Sequence, residues 1–136
     1  MAVSTATDLA ALFIRFAAEG RDVAWLAEEF LRIAGRAKRV FVTRDPDRSA
    51  GGLYCRVDSP SGCGEAVVPD HRSFRPLLAR LAKVYSTEHG TDLLPYGGRL
   101  TFDRRTADGP VRIDVVFANT LDAQYLTLTA RRPDAE

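Results

Sequence analysis

The sequence is poor in the residues on which metal binding, disulfide frameworks and catalysis depend. Its 136 residues include two cysteines and two histidines, and the spacing of the cysteines is not that of a structural zinc site. No apolar run approaches the roughly 20 residues that a membrane-spanning helix requires. Arginine and lysine total 19 against 18 for aspartate and glutamate. There is therefore no broad basic field of the kind that binds nucleic acid by counterion release.

Catalytic motifs are also absent. The sequence has no Gly-rich phosphate loop, no GxGxxG after a strand, no HExxH and no GxSxG. Asp70-His71 and His89 are the acid–base candidates near neutral pH, and neither has an orienting partner at a recognisable spacing. Residues 45–52 resemble the start of a calcium loop, but Arg56 stands where a bidentate glutamate is needed. We expect no enzyme activity, no metal and no cofactor.

The two cysteines, Cys55 and Cys63, match neither a CxxC redox motif nor a zinc knuckle. If Tyr54 and Val67 lie on neighbouring strands, the two thiols could approach each other across the intervening turn. The N-terminus lacks the basic and apolar regions of a secretion signal. We therefore favour reduced thiols in a cytoplasmic protein, with a disulfide as the alternative.

Three segments have the apolar periodicity of amphipathic helices. A capping box at Thr5 and Asp8 predicts the start of the first helix. Asp22 is the expected cap of the second helix, and Gly35 is expected to provide its left-handed exit. Ser73 is the expected cap of the third.

Three basic residues lie off the apolar stripe of the third helix: Arg75, Arg80 and Lys83. A solvated basic face is the simpler interpretation of this set. The alternative is a site for a phosphate-bearing ligand or for an acidic partner surface.

Six segments have the composition of β-strands and form two antiparallel meanders, one on each side of the third helix. Asp108-Gly109 is the expected turn between the first two strands of the second meander. The chain is thus predicted to be one α+β domain with the order α-α-β-β-β-α-β-β-β and a mainly antiparallel sheet of about six strands. Residues 1–6 and 131–136 are expected to be flexible.

The second meander alternates apolar and polar residues with a period of two, as in a sheet with one buried face. Its inward positions are apolar, which favours a filled core over an open cone: Leu100, Phe102, Ile113, Val115 and Leu126. Its outward positions are the predicted partner-binding residues: Arg99, Thr101, Asp103, Arg112, Asp114 and Thr127.

One family shares the pattern of the third helix and the following hairpin. Leu-Ala-Lys-Val at 81–84 is followed by Pro-Tyr-Gly-Gly-Arg-Leu at 95–100 and by Val-Arg-Ile-Asp-Val at 111–115. In this order the chain resembles the PAS-like second N-terminal domain of the ATPases that power type II secretion and type IV pilus assembly. It departs from that family in having Asp114 where the strand pattern has an arginine, and in lacking a phosphate loop.

The resemblance implies a bacterial docking domain that keeps the scaffold without nucleotide chemistry and binds another protein. Two alternatives stay open. One is an immunity or antitoxin protein that blocks a toxin. The other is a small cone-shaped ligand-binding protein or enzyme, whose pocket would hold His71 or His89 beside a carboxylate. The partner's identity, the strand order and the oligomeric state, including a homodimer, are not determined at this level.

Overall fold

The computed structural model describes residues 5–44, 52–60, 62–69, 72–90, 97–106, 109–121 and 124–132. The helices are α1 (Ala6–Glu19), α2 (Val23–Arg36) and α3 (Phe74–His89). The strands are β1 (Arg39–Thr43), β2 (Leu53–Ser59), β3 (Gly62–Val68), β4 (Gly97–Thr106), β5 (Gly109–Asn119) and β6 (Gln124–Arg131). The predicted α+β class and order of elements are confirmed. The turn residue Asp108 lies outside the described residues.

The strands form one antiparallel sheet with the order β3-β2-β1-β6-β5-β4. Each meander is built from sequence neighbours, and the two halves meet where β1 pairs with β6. In that pairing Val40 lies opposite Leu128 and Val42 lies opposite Leu126. The centre of the sheet therefore joins segments that are far apart in the chain.

The ends of α1 and the start of α2 follow from local chemistry. The Asp8 N–H donates to Thr5 Oγ1 at 3.1 Å, and the Thr5 N–H donates to Asp8 Oδ2 at 3.0 Å, as a capping box requires. Gly20 ends α1 in the left-handed region, with a φ of 62°. Asp22 Oδ1 then accepts from the Ala24 N–H at 2.7 Å and caps α2. Both predicted caps are confirmed.

Gly35 does not end α2, so the prediction of a left-handed exit there is wrong. The helix continues to Arg36, and its C-cap residue Ala37 is extended. A Cβ on Gly35 would lie 3.3 Å from Val111 Cγ1 and 3.4 Å from Thr106 Cγ2. The glycine therefore lets α2 approach the sheet closely. In the sequence, its position near the end of the helix suggests a cap and gives no indication of this packing role.

The core lies between the three helices and one face of the sheet. Alternate side chains of every strand point inward, and the predicted inward positions of β4, β5 and β6 are at most 2% exposed. Phe30, Phe74 and Phe102 are the largest fully buried side chains, from α2, α3 and β4. Each contributes about 1.5–3 kcal/mol by leaving water. The expectation of a filled core at these positions is confirmed.

The cysteines lie on opposite faces of the sheet. Tyr54 does pair with Val67, but in the same register Cys55 lies opposite Ala66 and Cys63 lies opposite Asp58. Cys55 is fully buried, Cys63 is exposed, and both are free. The prediction of reduced thiols is confirmed, and a disulfide between them is excluded by the register. Burial raises the pKa of the Cys55 thiol to about 12.

The last described residues are held in the fold. Arg131 lies in β6, and the Arg132 guanidinium donates to the carbonyl oxygen of Gly35 at 3.0 Å and to Thr106 Oγ1 at 3.3 Å. At the other end, Ala6 is buried. Among the helices described, none is long and apolar enough to cross a membrane.

Candidate functional site

The outer face of the sheet, opposite the helices, holds the residues that were predicted to bind a partner. All of them point away from the core on β4, β5 and β6: Arg99, Thr101, Asp103, Arg112, Asp114 and Thr127. The register aligns them in rows across the strands, because Thr101 lies opposite Asp114 and Asp103 lies opposite Arg112. The structure thus brings the whole set to one surface.

Ion pairs on this face run between strands. Arg112 Nε lies 3.0 Å from Asp103 Oδ1. Asp114 accepts from Arg131 Nε at 2.5 Å and from its terminal nitrogen at 3.2 Å. Arg112 and Asp114 are therefore not partners of each other. Exposed pairs of this kind contribute about 0–1 kcal/mol each, so they shape the surface potential more than they stabilise the fold.

The same face also carries an apolar band that was not predicted from the sequence. We define the apolar band as one residue from each of five adjacent strands: Val67, Tyr54, Phe41, Tyr125 and Val116. The rings of Phe41 and Tyr54 meet edge to face with centroids 6.4 Å apart. Val67 is 48% exposed, and Val116 and Tyr125 are each 37% exposed. At about 4.8 Å per strand the band is about 20 Å long.

A signal for the band is present in the sequence. Phe41 stands between Val40 and Val42, and Val116 stands between Val115 and Phe117, so apolar residues occupy outward positions where alternation requires polar ones. Such runs are typical of strands that are buried on both faces. The sequence therefore contains apolar residues in excess of what one layer of helices can cover.

The helices described here all pack on the inner face. α1 contacts β2 and β3, whereas α2 and α3 contact β4, β5 and β6, and the inward side chains under them are buried. On the outer face Val67, Val116 and Tyr125 of the apolar band are exposed. The row of Asp58, Arg39 and Asp114 lies along one side of the band. A contiguous apolar patch rimmed by polar residues is typical of an interaction site.

The basic residues of α3 do not form one compact face. Arg75 Nε donates to Asn119 Oδ1 at 3.0 Å and is thereby held at the end of β5. Arg80 lies five residues further on, about 140° around the helix axis, and its Nε is buried without a hydrogen-bond partner among the described residues. Lys83 is exposed.

An open groove of about 600 Å³ lies between α1 and the segment that joins β3 to α3. Its walls are mainly apolar and include Phe13, Ile14, Val68 and Pro76. His89 lies elsewhere, with its ring 4.2 Å from the ring of Tyr85. His71 is outside the described residues, so its place relative to the groove is not known.

Within the described ranges, no three side chains of His, Cys, Asp or Glu are grouped so that they could hold a metal ion. The site is therefore defined by shape, apolar surface and paired charges. No protein-family model matches the chain, and no curated protein matches it. The resemblance to the secretion ATPase domain stays a prediction.

Proposed function

We propose that this protein is a non-enzymatic protein-binding domain that docks another protein on the outer face of its sheet. The observation that carries the proposal is the apolar band, of which Val67, Val116 and Tyr125 are exposed on the side of the sheet that the described helices leave uncovered, while Tyr54 is buried. Its polar flanks match the usual anatomy of a protein interface, in which an apolar centre is surrounded by a polar rim.

The energetics suit such a role. Covering the partly exposed Val67, Val116 and Tyr125 contributes about 1 kcal/mol for each side chain. The aromatic rings of Phe41 and Tyr125 lie near the middle of the band, where interface residues that dominate affinity are usually found. Charged residues around them act mainly on association rate and specificity.

The pattern that the chain shares with the secretion and pilus ATPases supports a more specific role. An adaptor in a secretion or pilus-type machine needs a docking surface and no nucleotide chemistry, which fits the lack of a phosphate loop. We propose this role for the domain, with the outer face as its contact.

The test is affinity capture of a partner from the native lysate, with quantitative mass spectrometry. The wild-type chain is compared with the double variant Val116→Gln/Tyr125→Gln, which removes apolar surface from the outer face. The matched control is Ile14→Gln, since Ile14 is 54% exposed on α1 on the opposite surface. We expect the control to capture the same protein as the wild type, and the double variant to lose it while its melting temperature stays within a few degrees.

A folded double variant that captures the partner as well as wild type would refute the outer face as the site. The charge-reversed variant Arg112→Asp/Asp114→Arg probes the rim, because each new side chain then faces a like charge, on Asp103 or on Arg131. We expect weaker capture with nearly unchanged melting. A recovered toxin would favour the immunity alternative, and a partner absent from secretion or pilus machinery would contradict the adaptor role.

A further inference from the structure

On the outer face, the negative charges of the described strands have partners, but some of the positive charges do not. Its carboxylates on the described strands all have partners within the sheet. Asp58 pairs with Arg56, Asp103 with Arg112 and Asp114 with Arg131. The Glu65 carboxylate accepts a hydrogen bond from the Tyr54 hydroxyl.

Three outward arginines on the described strands have no such partner: Arg39 and Arg99 lie beside the apolar band, and Arg105 lies towards the far end of β4, opposite Pro110. Arg39 and Arg99 are exposed, and their side chains make neither an ion pair nor a hydrogen bond with any described residue. Arg39 lies opposite Asp58 in the sheet, but that carboxylate is held by Arg56 at 3.1 Å. Arg99 lies opposite Val116, which carries no charge. On the described strands, the unpaired charge of this face is therefore positive.

Both arginines border the apolar band, Arg99 at its β4 end and Arg39 along one edge. Arg39 is two residues from Phe41 on β1, and Arg99 is beside Val116 on the edge strand β4. β6 and β5 lie between them in the sheet. The two arginine backbones are separated by three strand spacings of about 4.8 Å across the sheet and by two residues, about 7 Å, along the strands. The total distance is about 16 Å, which is about five residues of an extended chain.

We propose, on the basis of the function proposed above, that the partner contributes an acidic segment with an apolar centre, whose carboxylates reach Arg39 and Arg99 while its apolar side chains cover the band. Guanidinium and carboxylate groups form paired, charge-assisted hydrogen bonds that are stronger than neutral ones. A second copy of this chain fits the role less well, because the outward carboxylates of its described strands already have partners within the sheet.

The experiment is selection of peptides from a random library displayed on phage, with the full chain immobilised. Enriched peptides are then synthesised, and their affinities are measured by fluorescence polarisation at low and high salt. We expect enrichment of Asp or Glu on both sides of aromatic or branched apolar residues. Arg39→Gln and Arg99→Gln should each weaken binding about tenfold, and high salt should weaken it further.

Two controls separate the partner chemistry from the location of the site. Lys83→Gln removes a positive charge from α3 and should change affinity less than about twofold. Val116→Gln/Tyr125→Gln should abolish binding without altering the net charge. Enriched peptides that are neutral or basic, yet lost in this double variant, would refute the acidic partner and leave the outer face as the site. Peptides indifferent to the double variant, or no enrichment over an unrelated protein, would contradict both proposals.

Discussion

Arg104 on β4 contacts both α2 and α3. Its replacement by methionine tests how strongly these contacts hold the second meander against the helices. Its side chain is 22% exposed and points from β4 towards α2 and α3. The terminal nitrogen lies 3.3 Å from Glu28 Oε2 and 2.8 Å from Glu88 Oε2. The guanidinium carbon lies 5.4 Å from the centre of the Phe102 ring. Partial burial alone lowers the pKa of Arg104, but the hydrogen bonds with Glu88 and Glu28 outweigh it and the net shift is upward.

The expected loss follows from these contacts. Each partly exposed ion pair contributes about 0.5–1 kcal/mol, and the contact with the Phe102 ring adds about 0.5 kcal/mol. Arg104→Met keeps the apolar stem and removes the guanidinium. The carboxylates of Glu28 and Glu88 then repel each other, because no positive charge lies between them. We expect the free energy of unfolding to fall by about 2 kcal/mol. For a domain of this size that lowers the melting temperature by about 6–10 °C.

Urea unfolding followed by tryptophan fluorescence measures the change, because Trp25 is the single tryptophan and packs against the core from α2. The control is Arg112→Met, which removes one exposed pair with Asp103 and should cost about 0.5 kcal/mol. The difference between the two variants should shrink in 1 M salt. Equal stability of the two variants at low salt would refute the assignment of Arg104 as a link between β4, α2 and α3.

Two further predictions concern the first meander. Burial raises the pKa of Cys55 from 9.0 to about 12, so the folded chain favours the neutral thiol. The free energy of unfolding is therefore unaffected by this thiol below pH 9. As the pH rises from 9 towards 12, it falls by up to about 1.4 kcal/mol per pH unit. Cys55→Ala should be less stable at pH 7 by urea unfolding and lose this slope, whereas parallel pH profiles would contradict the buried thiol. At Gly52 a Cβ would lie 2.0 Å from a carbonyl oxygen of β3. Gly52→Ala should therefore lower the free energy of unfolding by about 3 kcal/mol or more, measured by the same urea unfolding. Unchanged stability would contradict this close approach between β2 and β3.

The helices and strands could be predicted because the sequence signals that define them are local. The caps at Thr5 and Asp22 depend on side chains within three residues of the groups that they bind, so the sequence alone locates both helix starts. The alternation along β4 and β5 likewise distinguishes the buried from the outward side chains without knowledge of the partner strands. The predicted partner-binding residues were found on one face for this reason.

Other features depended on which segments meet. Gly35 has the sequence context of a helix exit, and only the approach of Val111 and Thr106 shows that it is a packing position. The register between β2 and β3 places Cys55 inside and Cys63 outside, a result that the spacing of the two cysteines does not reveal.

The sequence by itself determined the number, type and order of the elements, because caps, turns and periodicity act over a few residues. The tertiary structure decided that β1 lies beside β6, which assembles Phe41, Tyr125 and Val116 into one apolar band with Arg39 along one edge and Arg99 at one end. Phe41 and Val116 break the alternation of their own strands, but this break does not show which other strands they lie beside. These residues form one surface only because strands that are distant in the chain pair with each other. That pairing is selected by burial of the inner face of the whole sheet and not by any local preference.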